Sequence, residues 1–160
     1  MPDIEALLDE RFGPARHNRT AYRLRDGVKP IRELCLVARA GGHLLGSVQC
    51  WPLHLRITDG RRLPLVLLGP VAVDLAHEGE GVGTLLMQEV LARADAVSGL
   101  PMLLIGDEPY YGRFGFSAAA TAEWQVPGPV DRARLLLRGA TESLPVSGCL
   151  EPATKGRAAA

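Results

Sequence analysis

Three glycines spaced two apart, Gly79, Gly81 and Gly83, join a β-rich run to the start of a helical one in the stretch LGPVAVDLAHEGEGVGT at 68–84. Glycine leaves no side chain in a ligand's way and tolerates positive φ, so such a loop can present bare main chain. The first N–H groups of the following helix have no internal partners, and the aligned peptide dipoles make that end partly positive. The chemistry available here is the holding of an anion, above all a phosphate or pyrophosphate. Spacing excludes two nucleotide loops. A Walker-type loop needs a Lys before its Ser/Thr, and Gly83-Thr84 has none. A dinucleotide fingerprint needs G-x-G-x-x-G, whereas the third glycine comes one residue early and Thr84 takes its place.

In the register Glu78-Gly79-Glu80-Gly81-Val82-Gly83, the loop resembles motif A of the GNAT acyltransferase superfamily, Gln/Arg-x-x-Gly-x-Gly/Ala. Downstream, Tyr110-Tyr111-Gly112-Arg113-Phe114-Gly115-Phe116 is similar to that family's Tyr-x-x-x-Gly-Phe segment, with Tyr111 in the tyrosine position. The distance between the two suits one helix, one strand and a short helix. The resemblance is clearest over 67–116 and looser upstream, where 4–16 and the strands before Trp51 look like the opening of small bacterial members.

The resemblance implies an α/β (α+β) architecture, the GNAT fold: a mixed, mostly antiparallel central sheet flanked by helices, with acyl-CoA lying between splayed central strands. It implies backbone contacts from Val71, Ala72 and Val73 to the pantetheine arm. It implies that the segment Glu78, Gly79, Glu80, Gly81, Val82, Gly83 and Thr84 holds the pyrophosphate, and that Phe114 also meets the cofactor. The reaction implied is direct transfer of an acetyl group from acetyl-CoA, as co-substrate and without a metal, to a primary amine on a small molecule or peptide. Tyr111 is the candidate acid for the departing thiolate, because an ordinary phenol near ~10 stays protonated at neutral pH. Asp74, Asp107, His54 and Glu78 are near the expected cleft, but no signal singles out a base, and none is assigned. Trp51, His54 and the arginine-rich segment 16–25 are candidates for the acceptor pocket, and packing or solvation explains each equally well.

One departure bears on function. Where the family has Gln or Arg, and often a second basic residue, this chain has Glu78 and Glu80. Carboxylates facing a phosphate repel it, although carboxylates near a helix N-terminus are themselves favoured. Arg113, Arg61 and Arg62 are the candidates to offset them. The alternative function is therefore a non-catalytic acyl-CoA-binding or sensor protein on the same fold. A third class, a nucleic-acid module using the arginines at 16–25, is opposed by zero net charge and by aromatic residues at only 5%.

The elements that must position these groups follow from the pattern. Ile4, Leu7 and Leu8 share a helix face, with Asp3 as N-cap and Gly13-Pro14 as the stop. Segment 15–30 reads as polar helix or loop. Strands are expected over 33–40, 44–57, 63–73, 102–105, 122–126 and 133–137, with a hairpin turn at Asp59-Gly60 and a bulge at Gly69-Pro70. A proline in the second strand, Pro52, suggests an edge or a bulge. Leu86, Val90, Ala94 and Val97 stripe a helix that Gly99 and Pro101 end, and Asp107 can cap a short helix carrying Tyr110 and Tyr111. The tail from about 150 is expected to fray.

At 160 residues the chain suits one domain over 1–160, without internal repeats. Eighteen basic residues balance eighteen acidic ones, so no global field recruits nucleic acid or an anionic membrane. Cys35, Cys50 and Cys149 are odd in number and far apart, which points to free thiols and away from zinc or a disulfide framework. The start MPDIEALLDERFG lacks a signal peptide's basic end and apolar run, and the expected setting is cytoplasmic. An unpaired sheet edge could also support a homodimer.

Overall fold

The computed structural model describes residues 2–139 and 141–154. The strands are β1 (Leu36–Ala40), β2 (His43–Arg56), β3 (Arg62–Val73), β4 (Met102–Ile105), β5 (Glu123–Gln125), β6 (Leu135–Arg138) and β7 (Ser147–Pro152). The α-helices are α1 (Pro2–Phe12), α2 (Thr20–Arg23), α3 (Val82–Val97) and α4 (Glu108–Tyr111). One seven-stranded sheet runs β5-β7-β2-β3-β4-β6, with β1 paired to β2 beside the path. The β3·β4 and β5·β7 pairs are parallel and the rest antiparallel, so the sheet is mixed and mostly antiparallel, as expected.

The apolar run in β3 has both faces covered. Val66 and Leu68 point into one core with Met102, Leu104, Leu136 and the α3 stripe, while Leu65 and Leu67 point into a second with Leu103, Leu135, Leu137 and Trp124. Alternation along a strand sends neighbours to opposite faces, and burial on both is why the sequence shows a run. Leu86, Met87, Val90, Leu91 and Ala94 form the buried stripe of α3. Val97, expected on that stripe, is exposed, because the helix ends there and Gly99 turns the chain with φ +63. Ile4, Leu7 and Leu8 of α1 pack with Ala72 of β3. Asp3 lies inside the first turn of α1, where its carboxylate accepts from the Ile4 N–H and pairs with Arg39 at 2.5 Å.

The β2–β3 hairpin turns at Asp59-Gly60, where an Asp59 oxygen accepts the Arg61 N–H at 2.9 Å and Gly60 takes φ +91. Gly69-Pro70 is the expected bulge: Val48 faces Val71 and Cys50 faces Leu68, so one residue of β2 opposes two of β3. Pro52 lies within β2, on the flank between β1, which stops at Val48, and β7, which starts at Leu53. The expected strand at 33–40 is shorter, because Arg32–Leu34 forms a 3₁₀ turn before β1. Segment 15–30 is a 3₁₀ turn, Pro14–Asn18, followed by α2. The tail differs from expectation at Ser147–Pro152, which is a strand inserted between β5 and β2; residues 155–160 lie outside the described residues. No helix among the described residues is long and apolar enough to cross a membrane.

Candidate active site

The glycine loop opens α3 as its spacing predicts. Gly79 and Gly81 have φ +81 and +84, values that L side chains avoid, and Gly81 is the residue from which the helix starts. The N–H groups of Val82, Gly83 and Thr84 belong to the first turn and have no intrahelical acceptor. Gly83 is glycine for another reason. Its φ is unremarkable, but a Cβ there would stand 3.1 Å from the Tyr110 hydroxyl and 3.4 Å from Val73 Cγ2. Close packing of the loop on Tyr110 and Val73, rather than turn geometry, leaves little space for a side chain there.

Beside this loop the central strands part. β3 and β4 pair only at Val66↔Met102 and Leu67↔Leu103, and past the bulge β3 keeps β2 as its sole partner while β4 keeps β6. The facing edges therefore carry main-chain groups without a ladder partner, which a ligand with amides of its own can complete. Two cavities occupy the gap and share Phe12, Val71 and Tyr111. The outer one, about 540 Å³, runs from Val71 and Val73 to Glu78, Gly79, Gly81, Val82, Gly83 and Thr84. The inner one, about 230 Å³, lies between Leu67–Val71 and Leu104–Asp107 under the arginine-rich segment.

Tyr111 stands at the junction. Its ring meets Tyr110 edge-on at 4.8 Å and Phe116 at 6.3 Å, and it packs over Gly106, where a Cβ would fall 2.5 Å from Tyr111 Cε2. Gly106 is a site residue that the sequence reading missed; a glycine straight after a buried strand was the available signal. Burial pushes the phenol up to about 12, with Tyr110 and Asp107 adding to the rise and Arg134 opposing it.

The glutamates that depart from the motif are both engaged. Arg11 Nη2 pairs with Glu78 Oε1 at 2.7 Å, and His77 Nδ1 with Glu80 Oε2 at 2.7 Å. Arg113 reaches the helix opening, where its Nη2 donates to Thr84 Oγ1 at 3.0 Å while its guanidinium lies over Tyr110 and Phe114. Arg61 and Arg62 do not: they sit at the hairpin end of β3, paired with Asp59 and Glu151. Of the expected contacts, Ala72 is buried against α1, Glu80 turns to His77, and Phe114 packs on the first core; none of these three lines either cavity.

The base candidates scatter. Asp74 accepts from the Ala76 N–H and meets His43 at 3.3 Å. His54 sits in β2, facing Pro64 on one side and Glu151 on the other, and lines neither cavity. Asp107 occupies the N-cap position of α4 but caps with its backbone carbonyl, and its carboxylate pairs with Arg134 at 3.2 Å. Among the described residues it is the sole carboxylate lining the inner cavity. The arginines at 16–25 differ: Arg19 and Arg23 are exposed and Arg25 is half-buried, whereas Arg16 is 2% exposed and tied to Glu5 and Asp9 at 2.5 and 3.2 Å. His43, Asp74 and His77 bring donor atoms within 4.8 Å of one another, but the contacts of His43 with Asp74 and of His77 with Glu80 already occupy them in part.

Comparison with known proteins agrees with this geometry. A family model described as an acetyltransferase (GNAT) domain matches residues 1–119. The chain is 32% identical over 121 residues to YhbS of Escherichia coli K12, described as an uncharacterized N-acetyltransferase, covering 74% of this chain and 69% of that protein. Among solved structures, the E. coli GNAT family N-acetyltransferase YhbS in complex with CoA aligns with a TM-score of 0.72 at 25% identity, over 94% of this chain and 83% of the other. A GNAT family acetyltransferase from Brucella melitensis in complex with acetyl-CoA aligns with a TM-score of 0.58 at 27% identity, over 89% and 91%.

Proposed function

The chain belongs to the GNAT acetyltransferase family and is an acetyl-CoA-dependent N-acetyltransferase; from that premise we propose that it moves the acetyl group in a single direct transfer to an amine held in the inner cavity. The observation that carries this reading is the position of Tyr111, which lines both cavities where β3 and β4 part. Acetyl-CoA lies in the outer cavity. Its pyrophosphate meets the N–H groups of Val82, Gly83 and Thr84, with Arg113 alongside, and its pantetheine amides complete the open edge of β3 at Val71–Val73. Of the glutamates that favoured a non-catalytic binder, Glu78 is paired with Arg11, which offsets its charge, and Glu80 is turned to His77 and lies outside the outer cavity.

The amine attacks as the neutral base, since an ammonium has no lone pair. Negative charge grows on the thioester oxygen, where a main-chain N–H near Val71–Val73 can stabilise it. When the C–S bond breaks, the proton lost by nitrogen ends on sulfur. Full proton transfer from a phenol at about 12 to an ordinary thiolate near ~8.5 is uphill by roughly 5 kcal/mol. Tyr111 therefore serves as a hydrogen-bond donor to the developing thiolate rather than giving up its proton outright. This refines the role of acid that its motif position implies.

The test is Tyr111→Phe. Turnover falls on the order of 10²-fold, while acetyl-CoA affinity by calorimetry stays within about twofold. An unchanged kcat removes Tyr111 from the mechanism.

A further inference from the structure

The inner cavity is strongly cationic. Arg16, Arg19, Arg25 and Arg134 line it against the single carboxylate of Asp107. Arg16 and Arg134 are neutralised by acids of this chain. Among the described residues, Arg19 and Arg25 have no ion pair. Arg19 is at the rim, its Nη2 within 3.4 Å of the Phe12 carbonyl. Arg25 is half-buried and unusual. Its guanidinium carbon lies 3.7 Å from the centre of the Tyr22 ring and 4.1 Å from that of Trp51, so both faces of the plane are covered.

Both plates of this sandwich are themselves fixed. Trp51 Nε1 donates to the Gly69 carbonyl of the bulge at 2.8 Å, and the Tyr22 hydroxyl accepts from the anchored Arg16 at 3.1 Å. Arg25 Nη1 is closed off from solvent and has no hydrogen-bond partner. An unmet buried donor on a cation is costly, and burial works against its charge here. A guanidinium held between rings, lining a cavity and without a carboxylate of its own among the described residues, is suited to an anionic group, which it meets by charge-assisted N–H···O bonds. A bare structural stack does not need an open cavity beside it.

We infer that Arg25, clamped between Tyr22 and Trp51 beside the inner cavity, reads a carboxylate on the acceptor, and that the acceptor is a small amino acid rather than a simple amine or polyamine. This rests on the assignment of the inner cavity to the amine under the proposed function. Its volume of about 230 Å³ suits one small molecule. Arg19 at the rim adds attraction for the same charge, and the low-polarity walls of Leu67, Leu68 and Leu104 hold the remainder.

The experiment compares amino acids with their decarboxylated counterparts. The twenty common amino acids and 4-aminobutyrate are paired with the matching amines, such as phenylalanine with phenethylamine and 4-aminobutyrate with propylamine. Binding to the protein saturated with CoA is read by calorimetry, and turnover with acetyl-CoA is read separately. At least one carboxylated member binds tenfold or more tightly than its partner. For that member Arg25→Gln raises KM tenfold or more with little change in kcat, and Arg25→Lys restores only part of the loss. The melting temperature and CoA affinity of each variant separate a lost contact from a lost fold. Equal binding within every pair, or an Arg25→Gln effect equal on both members, overturns the inference. A tenfold preference for succinyl-CoA over acetyl-CoA that disappears in Arg25→Gln also overturns it, by giving the arginine to the acyl donor. Carboxylate-dependent binding without turnover on any pair leaves the subsite standing and sinks the transfer mechanism instead.

Discussion

Replacing Gly106 by alanine tests whether the placing of Tyr111, and not merely its presence, controls the reaction. The added Cβ would stand 2.5 Å from Tyr111 Cε2, 2.9 Å from its Cδ2 and 3.0 Å from Leu104 Cδ1. Carbon atoms rest about 3.5–4.0 Å apart, so the ring must retreat by roughly 1 Å or more. Overpacking of this kind costs about 1–3 kcal/mol of stability. Misplacing a reacting group by about 1 Å costs on the order of 10²-fold in rate. The expected result is a fall in kcat close to that of Tyr111→Phe, with acetyl-CoA affinity within about threefold of normal, because the outer cavity is not lined by Gly106. Steady-state kinetics and calorimetry on the single and double variants decide it. In a Tyr111→Ala background the two ring contacts are gone and only the flexible end of Leu104 must give, so Gly106→Ala should then change kcat little and stability by less than in the wild-type background. Wild-type kcat in Gly106→Ala, or a full additional loss in the double variant, would refute the argument.

Three further outcomes follow from other contacts. Gly83→Ala brings its methyl to 3.1 Å from the Tyr110 hydroxyl without straining φ, so denaturant stability should stay within about 1 kcal/mol while acetyl-CoA affinity falls roughly tenfold by calorimetry. Arg11→Ala strips Glu78 of its 2.7 Å partner beside the pyrophosphate loop, and should weaken acetyl-CoA several-fold, about 1 kcal/mol, with Glu78→Gln in the same chain recovering most of it; no recovery would count against charge as the cause. Because burial holds the Tyr111 phenol at about 12, it stays protonated as pH rises from 7 to 10, and the pH–rate profile should show no descending limb there that Tyr111→Phe removes.

Much of the fold is local enough to be read from residue order. A strand buried on both faces must show an apolar run, as β3 does, and a helix buried on one face must show a stripe, as α3 does. Gly79 and Gly81 declare a left-handed turn because other side chains avoid that conformation. β7 carried no such sign. Ser147–Pro152 has glycine, proline and no alternation, and it becomes a strand because β2 offers Leu53–Arg56 as a template. Gly148 also lets it lie close, since a Cβ there would meet Leu55 Cδ1 at 2.8 Å.

The sequence by itself determined where a glycine turn begins a helix, that Tyr111 stands downstream of it, and that central strands surround them. These depend on residues within one or two turns of each other. Tertiary structure alone decided the electrostatics. Arg11 arrives from 67 residues away to pair with Glu78, Arg134 pairs with Asp107, and Arg25 lies between Tyr22 and Trp51 without an acidic partner among the described residues. Charge pairing depends on distance in space, and a chain's order says nothing of which distant side chains its folding will bring within a few ångströms.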